Sequence, residues 1–169
     1  LCEQYHIELV EDAAEALGSS FGQKPLGTFG RFGVLSFNGN KTITTGAGGA
    51  IICRTEEDTK RAKFLTTTAK QADAFEYYHP ELGYNYRMPN LNAALGVAQL
   101  AKLDDILASK QLIAEQYQHF FKDSEFKFIS APANTVANNW LNAVLAPSKE
   151  AKQALLEFAK QHNVMMRPA

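Results

Sequence analysis

The amino-acid sequence predicts a layered α/β fold, in which a mixed, mainly parallel sheet is flanked by helices. Short apolar runs with strand character alternate with segments whose apolar residues recur at helical spacing. Such alternation is typical of sheets covered by helices. The chain has 169 residues, of which 46% are hydrophobic, so it is also long enough to bury a sizeable core.

Three apolar runs in the first third of the chain are predicted to be strands. "HIELVED" (residues 6–12) is predicted to be a buried strand that ends at Asp12. "FGVLSFN" (32–38) and "GGAIICR" (48–54) are predicted to be the second and third strands. Residues 18–30 carry four glycines and one proline, which predicts turn and loop and leaves a hairpin open.

Three later segments are predicted to be helices. Residues 55–69 open with Thr55 as N-cap and with acids in the first turn, which favours a helix. Asn90 is predicted to cap a long helix with an apolar stripe, which runs, with a break, to about Phe121. Ser148 is predicted to cap the last helix.

The C-terminal part is predicted to contain two further strands. "NNWLNAVLA" (138–146) is strand-like, and "VMMRP" (164–168) is predicted to begin a last strand. The part after about residue 125 is therefore open to interpretation as a separate α+β subdomain.

Composition and charge argue against several classes of protein. The net charge is -1 and the basic residues are not clustered, so no nucleic-acid or anionic membrane partner is expected. No apolar run approaches the roughly 20 residues of a transmembrane helix. Cys2 and Cys53 are far apart and lie in or beside apolar runs. They indicate reduced core residues of a cytoplasmic protein, with neither a disulfide framework nor a metal site.

The two ends of the chain suggest a piece of a longer protein. The sequence starts without an initiator Met and already inside an element, and it ends where a strand-like run reaches a proline. A processed or trimmed complete domain is the alternative.

Lys41 lies in an unusual glycine-rich stretch, "SFNGNKTITTGAGGA" (36–50). A phosphate-binding P-loop does not fit, because Asn40 separates Gly39 from Lys41 and a strand follows where a helix must begin. A dinucleotide-binding fingerprint does not fit either, because here too a strand follows where a helix must begin. Two interpretations stay open: an ordinary surface lysine, or a lysine that forms a Schiff base inside a restricted pocket.

Two further residues favour the Schiff-base interpretation. Pyridoxal phosphate (PLP) needs a lysine for its aldehyde, a carboxylate for its pyridine nitrogen and donors for its phosphate. Asp12 ends a predicted strand, where open α/β sheets place ligand-binding groups, although it could instead cap a following helix. Ser36 stands five residues before Lys41, so a turn could bring its hydroxyl to the same pocket.

Three motifs together resemble a known family. "VEDAAEALGS", "GVLSFNGNKTITTGAGGAI" and "GYNYRMPNLNAALGVAQL" are similar to the DegT/StrS-type PLP-dependent aminotransferases, which act on nucleotide-linked keto-sugars. The last two are most similar to members that aminate UDP-linked 4-keto-6-deoxy-N-acetylhexosamines. The resemblance implies a fold-type I large domain, with its C-terminal part and long connecting helix in residues 1–124. Residues 125–169 would begin the small α+β C-terminal domain.

The resemblance also implies a role for five residues. Lys41 would form the Schiff base and move the proton during transfer, and Asp12 would pair with the pyridinium nitrogen. Ser36 would bind the cofactor phosphate. Asn85 would reach the phosphate of the neighbouring subunit's cofactor, so the active site would be shared in a homodimer. Glu15 stands where many relatives have Gln or His near the ring hydroxyl, and a carboxylate meets the phenolate unfavourably unless it is protonated or turned away.

The implied reaction is a transamination in two half-reactions. An amino acid, usually L-glutamate, leaves its nitrogen on the cofactor, which then aminates the keto-sugar for cell-surface polysaccharide or lipopolysaccharide synthesis. A sister group of dehydratases has histidine in place of the lysine, so Lys41 argues against that branch. The alternative function is a catalytically silent binding or regulatory module, and a plain structural α/β domain is a third. Because the resemblance covers only part of the family's length, this chain would be inactive alone.

Two details stay open on sequence alone. Residues 77–79, Tyr-Tyr-His, could line the sugar site or pack beneath the long helix, and packing is the favoured interpretation. Arg87 could orient its own turn or meet a substrate phosphate.

Overall fold

A computed structural model describes residues 1–73 and 75–168. Ala74, in the segment between the first two predicted helices, and Ala169, the last residue of the predicted C-terminal domain, lie outside the described residues. The strands are β1 Val10–Asp12, β2 Ser20–Phe21, β3 Lys24–Pro25, β4 Phe32–Ser36, β5 Gly49–Cys53, β6 Lys127–Phe128, β7 Thr135–Val136 and β8 Val144–Leu145. The helices are a short 3-10 turn Glu3–Tyr5, α1 Glu56–Thr66, α2 Asn90–Leu100, α3 Leu103–Phe120 and α4 Lys149–Gln161.

The central sheet has the order β1-β4-β5 and is mixed. β1 runs parallel to β4, with Asp12 opposite Val34, whereas β5 runs antiparallel to β4. The expectation of mainly parallel pairing is therefore wrong for the part of the chain that the structure describes. The reason is the connection 37–48, which contains no helix to carry the chain back, so β5 must return in the opposite direction.

The glycine-rich segment 18–30 forms the hairpin that the sequence left open. β2 pairs antiparallel with β3, and the two turn residues, Gly22 and Gln23, have φ of 53° and 69°. Positive φ at both central positions is the geometry that hairpin turns favour. β2 also pairs antiparallel with β7. This ladder ties the hairpin to the C-terminal part of the chain.

The first strand is shorter and more exposed than the sequence indicates. It begins at Val10, which is 57% exposed, so the predicted buried strand over residues 6–12 is wrong in both extent and burial. The physical reason is its edge position, because β1 pairs with β4 alone in the described sheet. Cys2 and Cys53 are free, as expected, but they are half-buried rather than core residues.

Local signals located the helix starts well. The Thr55 and Ser148 hydroxyls accept hydrogen bonds from the backbone N–H groups of Asp58 (3.0 Å) and Ala151 (3.1 Å), so both predicted caps are confirmed. The predicted break in the long helix is also confirmed, between α2 and α3. Asn90 is instead the first helical residue, because extended Pro89 occupies the cap position.

Helix α2 presents its polar and small side chains inward. Gly96 is buried against Thr45, and the Asn92 amide donates a hydrogen bond to the Thr45 carbonyl at 2.5 Å. Leu91, on the predicted apolar stripe, is 87% exposed, and Leu95 is also exposed. The stripe exists, but it does not face the interior of this chain.

The predicted C-terminal strands are largely absent from the described residues. Of the run 138–146, the structure forms a strand only at β8, which pairs antiparallel with β6. Residues 164–168 carry no assigned strand. Asn138 is buried in a loop whose hydrogen bonds run to the N-terminal part of the chain, so its polar groups are not free to form a sheet ladder. The division at residues 124 and 125 stays a prediction.

The chain exposes more surface than its mass requires. It leaves 12931 Å² accessible, whereas a compact folded chain of 18.7 kDa leaves about 8,300 Å². Ile43 is the one large apolar side chain that is fully buried among the described residues, at 1% exposure. Thr42, Ile43 and Thr45, in the loop between β4 and β5, are therefore among the most protected of the described residues. In the described part of the chain, no helix combines the length and apolar character needed to cross a membrane.

Candidate active site

Three strand ends meet at one edge of the central sheet. Because β1 and β4 are parallel, their carboxyl ends, Asp12 and Ser36, lie at the same edge. The antiparallel β5 brings its first residue, Gly49, opposite Ser36. The connection 37–48, which carries Lys41, leaves and returns at this edge.

The loop that carries Lys41 is firmly anchored. The Phe37 N–H donates to the Gly48 carbonyl at 2.9 Å, and the Thr45 N–H donates to the Phe37 carbonyl at 3.0 Å. Thr42, Ile43 and Thr45, which follow Lys41, are buried. The buried residues after Lys41 thus hold the loop in place on its C-terminal side.

The Lys41 amine is sheltered between two side chains. Its Nζ lies 3.3 Å from a carboxylate oxygen of Glu15 and 4.3 Å from the centre of the Trp140 ring. The side chain is 14% exposed. Lysine side chains are seldom so covered unless they are paired, which favours a restricted pocket over an ordinary surface lysine.

The two acids on the β1 side take different positions. Glu15 turns toward Lys41 and remains mostly exposed. Asp12 accepts a hydrogen bond from the Ala14 N–H at 3.1 Å, and the turn after it forms no helix. The alternative of Asp12 as a helix N-cap is therefore wrong.

The other two predicted cofactor-binding residues lie in different elements. Ser36 is half-buried at the end of β4, and its hydroxyl accepts a long hydrogen bond, 3.4 Å, from the Asn38 N–H. Asn85 pairs with Thr67 across an isolated bridge, in the connection between α1 and α2. Asp12, Glu15, Ser36 and Lys41 thus gather at one edge of the sheet, and Asn85 belongs to a separate segment.

The aromatic segment 77–79 does not pack beneath the long helix. Tyr77 and Tyr78 are exposed, and the His79 ring contacts the Thr68 carbonyl at 2.7 Å. The favoured packing interpretation is therefore wrong for this chain. The segment lies at the surface, where Lys70 Nζ is 3.8 Å from the Tyr77 ring centre. Arg87 is also exposed.

Sequence reasoning missed Asn138 and Trp140, which lie beside Lys41. They fall in a run with strand character, and the polar pair that precedes the chain's single tryptophan was the available signal. The Trp140 indole N–H donates to the carbonyl of Asn40 at 2.6 Å. The C-terminal part of the chain therefore contributes directly to the surroundings of Lys41.

Glu11, the residue of β1 beside Asp12, was also missed. Its carboxylate accepts hydrogen bonds from the N–H groups of Gly27 (2.8 Å), Phe29 (2.5 Å) and Gly30 (2.7 Å). Desolvation alone would raise the pKa of Glu11, but the three backbone donors and Lys24 outweigh it and hold the pKa below its usual value. Glu11 thereby fixes the loop 27–30 against β1.

Comparison with known proteins gives a consistent result. The chain matches the DegT/DnrJ/EryC1/StrS aminotransferase family over residues 1–169. It is 36% identical over 169 residues to EpsN of Bacillus subtilis, whose own assignment as a pyridoxal phosphate-dependent aminotransferase is provisional. That match covers 99% of this chain and 43% of EpsN.

A second relative and a solved structure match this chain over a similar share of their own lengths. The GDP-perosamine synthase of Vibrio cholerae is 34% identical over 170 residues, covering 99% of this chain and 46% of the synthase. Helicobacter pylori PseC, an aminotransferase involved in the biosynthesis of pseudoaminic acid, superposes with a TM-score of 0.88 at 28% identity. The superposition covers 95% of this chain and 44% of PseC. The chain thus spans less than half the length of these relatives.

Proposed function

Because this chain belongs to the DegT/DnrJ/EryC1/StrS aminotransferase family, we propose that it forms part of a PLP-dependent sugar aminotransferase. Its substrate would be a nucleotide-linked 4-keto-6-deoxy sugar, and its amino donor an amino acid, with L-glutamate expected. The product would serve the synthesis of cell-surface polysaccharide. The sheltered Lys41 amine, at the carboxyl edge of β1 and β4, is the observation that carries this proposal.

The residues at this edge fit the cofactor. An amine, a carboxylate and a hydroxyl are the groups that PLP requires, and Lys41, Asp12 and Ser36 would supply them. The parallel pairing of β1 and β4 supports this assignment. Gly46 and Gly48 in the same loop adopt φ of 82° and 105°, a backbone conformation that favours glycine. Glu15 is the one acidic departure from the family's usual Gln or His.

Each residue has a definite task in the proposed reaction. When bound, PLP supplies an aldehyde and a ring that accepts the electron pair of the donor's α-carbon. Asp12 would keep the pyridine nitrogen protonated, and Ser36 would orient the phosphate. Lys41 Nζ would hold the aldehyde and then, once the amino donor displaces it, take the proton from the donor's α-carbon. Asn85 would reach the phosphate bound by a partner subunit in a homodimer.

A borohydride trap tests the proposal. The chain is mixed with PLP, reduced with borohydride and digested, and the modified peptides are identified by mass spectrometry. We expect the pyridoxyl group on Lys41 in preference to every other lysine. The matched control is Lys41→Arg, which keeps the positive charge but cannot form a Schiff base. Equal labelling of many lysines, unchanged in Lys41→Arg, would contradict the cofactor assignment.

A second measurement separates an enzyme from a silent binding module. Because this chain spans less than half the length of its relatives, the measurement uses a longer protein that contains it. Conversion of the bound cofactor by L-glutamate is followed by absorbance, and binding of a nucleotide sugar is measured in parallel. An aminotransferase loses the conversion in Lys41→Ala, whereas a binding module never shows it and keeps its sugar affinity. Absence of conversion in the wild type, with sugar binding retained in Lys41→Ala, would favour the module.

A further inference from the structure

A short segment of the C-terminal part, residues 138–140, reaches the loop that carries Glu15. Asn138 is 6% exposed, and its side-chain amide donates to the carbonyl oxygens of Glu15 (2.7 Å) and Leu17 (2.9 Å). Its backbone N–H donates to the Ser19 hydroxyl at 3.0 Å. A single buried asparagine therefore fixes the backbone on the Glu15 side of the site.

The same segment holds the residues on either side of Lys41. The Asn138 amide nitrogen also lies 3.4 Å from the hydroxyl of Thr42, the residue directly after Lys41. Asn138 Oδ1 accepts from the Trp140 backbone N–H at 3.0 Å, and the indole N–H donates to the Asn40 carbonyl, directly before Lys41. Two loops that are distant in sequence are thus joined through one segment.

The indole ring completes the arrangement by covering the amine. Lys41 Nζ lies over the Trp140 ring and also forms an ion pair with the Glu15 carboxylate. A cation over an aromatic face is stabilised by the ring, and the ring also excludes water from that side. The ring therefore limits access to the amine from that side.

We propose that Asn138 and Trp140 are positioning residues for Lys41, which set the place and the reactivity of its amine. Asn138 acts through the backbone on both sides of the site, and Trp140 acts through its ring and its indole N–H. The inference rests on the proposed function only in one respect, namely that the aldehyde with which the Lys41 amine reacts is that of PLP. The placement itself can be tested without cofactor.

Trace labelling with acetic anhydride measures the reactivity of Lys41 directly. The labelled fraction of Lys41 is compared with that of Lys149, an exposed lysine at the start of α4, by mass spectrometry of the folded chain. We expect Trp140→Leu and Asn138→Ala to raise the relative labelling of Lys41 by about two- to fivefold, because the cation–π contact and the cover are lost. Lys149 normalises for reagent, and the urea midpoint of each variant, measured in parallel, separates local release of Lys41 from global loosening, which would lower that midpoint.

Two variants serve as matched controls. Trp140→Phe keeps an aromatic face over the amine, so its labelling should lie near that of the wild type. Asn139→Gly alters the neighbouring residue, whose side chain donates to Gln111 at 2.7 Å rather than toward Lys41. Glycine suits the φ of 47° at this position, so Lys41 labelling should not change. An unchanged or reduced ratio in both Trp140→Leu and Asn138→Ala would overturn the proposal.

Tryptophan fluorescence provides a test that does not require the core variants to fold. Trp140 is the chain's single tryptophan, so its emission reports on the ring above Lys41. Replacing the cation in Lys41→Gln should change the emission, whereas Lys149→Gln should not. Equal emission in the wild type and Lys41→Gln would overturn the placement. Failure of the borohydride trap with a positive result here would instead remove the cofactor assignment and leave the positioning intact.

Discussion

The carboxylate of Glu15 lies 3.3 Å from the ammonium group of Lys41, so the residue proposed to hold the cofactor is neutralised by an acid from the β1 side. Glu15 remains mostly exposed, which keeps the strength of this pair modest.

Replacement of Glu15 by glutamine should strengthen the capture of PLP. Glu15→Gln removes the ion pair with Lys41 and the repulsion between a carboxylate and the ring phenolate, so we expect the apparent Kd to fall by about two- to tenfold. The measurement is an absorbance titration with PLP. Glu157→Gln on α4 is the control and should bind as the wild type does. An equal or weaker affinity in Glu15→Gln would show that Glu15 does not oppose the cofactor.

The stability of the contact between α1 and the residue before β4 should depend on the two hydrogen bonds that the Arg31 guanidinium forms. Asp58, in the first turn of α1, accepts from Arg31 Nε at 3.0 Å and from Nη2 at 2.6 Å. This bonding to Arg31 holds the pKa of Asp58 below its usual range. We expect Arg31→Lys to lower the urea midpoint although the charge is kept, since lysine cannot form both bonds. Lys60→Gln, which breaks an exposed pair with Glu56, should change the midpoint much less.

A double-mutant cycle with Asp58→Asn completes this test. If the two residues act together, the double variant should lose less stability than the sum of the two single variants. Strict additivity would show that the pair contributes nothing beyond its separate parts.

Glu11 should make stability depend on acidity. Its folded-state pKa lies below the ordinary value of 4.5, so the unfolded chain binds the proton more readily. The stabilisation is complete above the unfolded pKa and is lost as pH falls through the folded pKa. We expect Glu11→Gln to be less stable than the wild type near neutral pH, and the difference between their urea midpoints to shrink as pH falls below 4.5. A constant difference would exclude this role.

Gly33 should tolerate no side chain. It is the second residue of β4, and an added Cβ would collide with the backbone carbonyl of Gly27. We expect Gly33→Ala to cost about 3 kcal/mol or more, or to prevent folding, because a backbone obstacle cannot move aside. Gly39→Ala is the matched control, since a Cβ there meets nothing within 4 Å. Equal urea midpoints for the two variants would contradict the packing described for β4.

Local chemistry accounts for what the sequence could predict. The hydroxyls of Thr55 and Ser148 cap helices through contacts within three residues, so short-range patterns were sufficient. Asp12, Ser36 and Lys41 were located by their strand ends and their loop, and the parallel pairing of β1 and β4 then brought them to one edge.

The features that the sequence did not predict depend on contacts between distant parts of the chain. Helical periodicity indicates which residues share a face of α2, but it cannot indicate that Gly96, rather than Leu91, faces inward. The Trp140 indole bonds to Asn40 across 100 positions, and no local pattern specifies such a pairing. The direction of β5 likewise follows from its connection to β4 rather than from its own composition.

The large accessible surface described above has a thermodynamic consequence. An unfolded chain of this mass exposes about 27,000 Å² and a compact one about 8,300 Å², so unfolding from 12931 Å² uncovers about three-quarters of the usual area. The heat capacity change of unfolding follows the apolar area that is uncovered. Calorimetry of this chain by itself should therefore give a heat capacity increment about a quarter below the usual value per residue. Its stability would then vary more gently with temperature, with a flatter maximum than a fully packed domain of the same length.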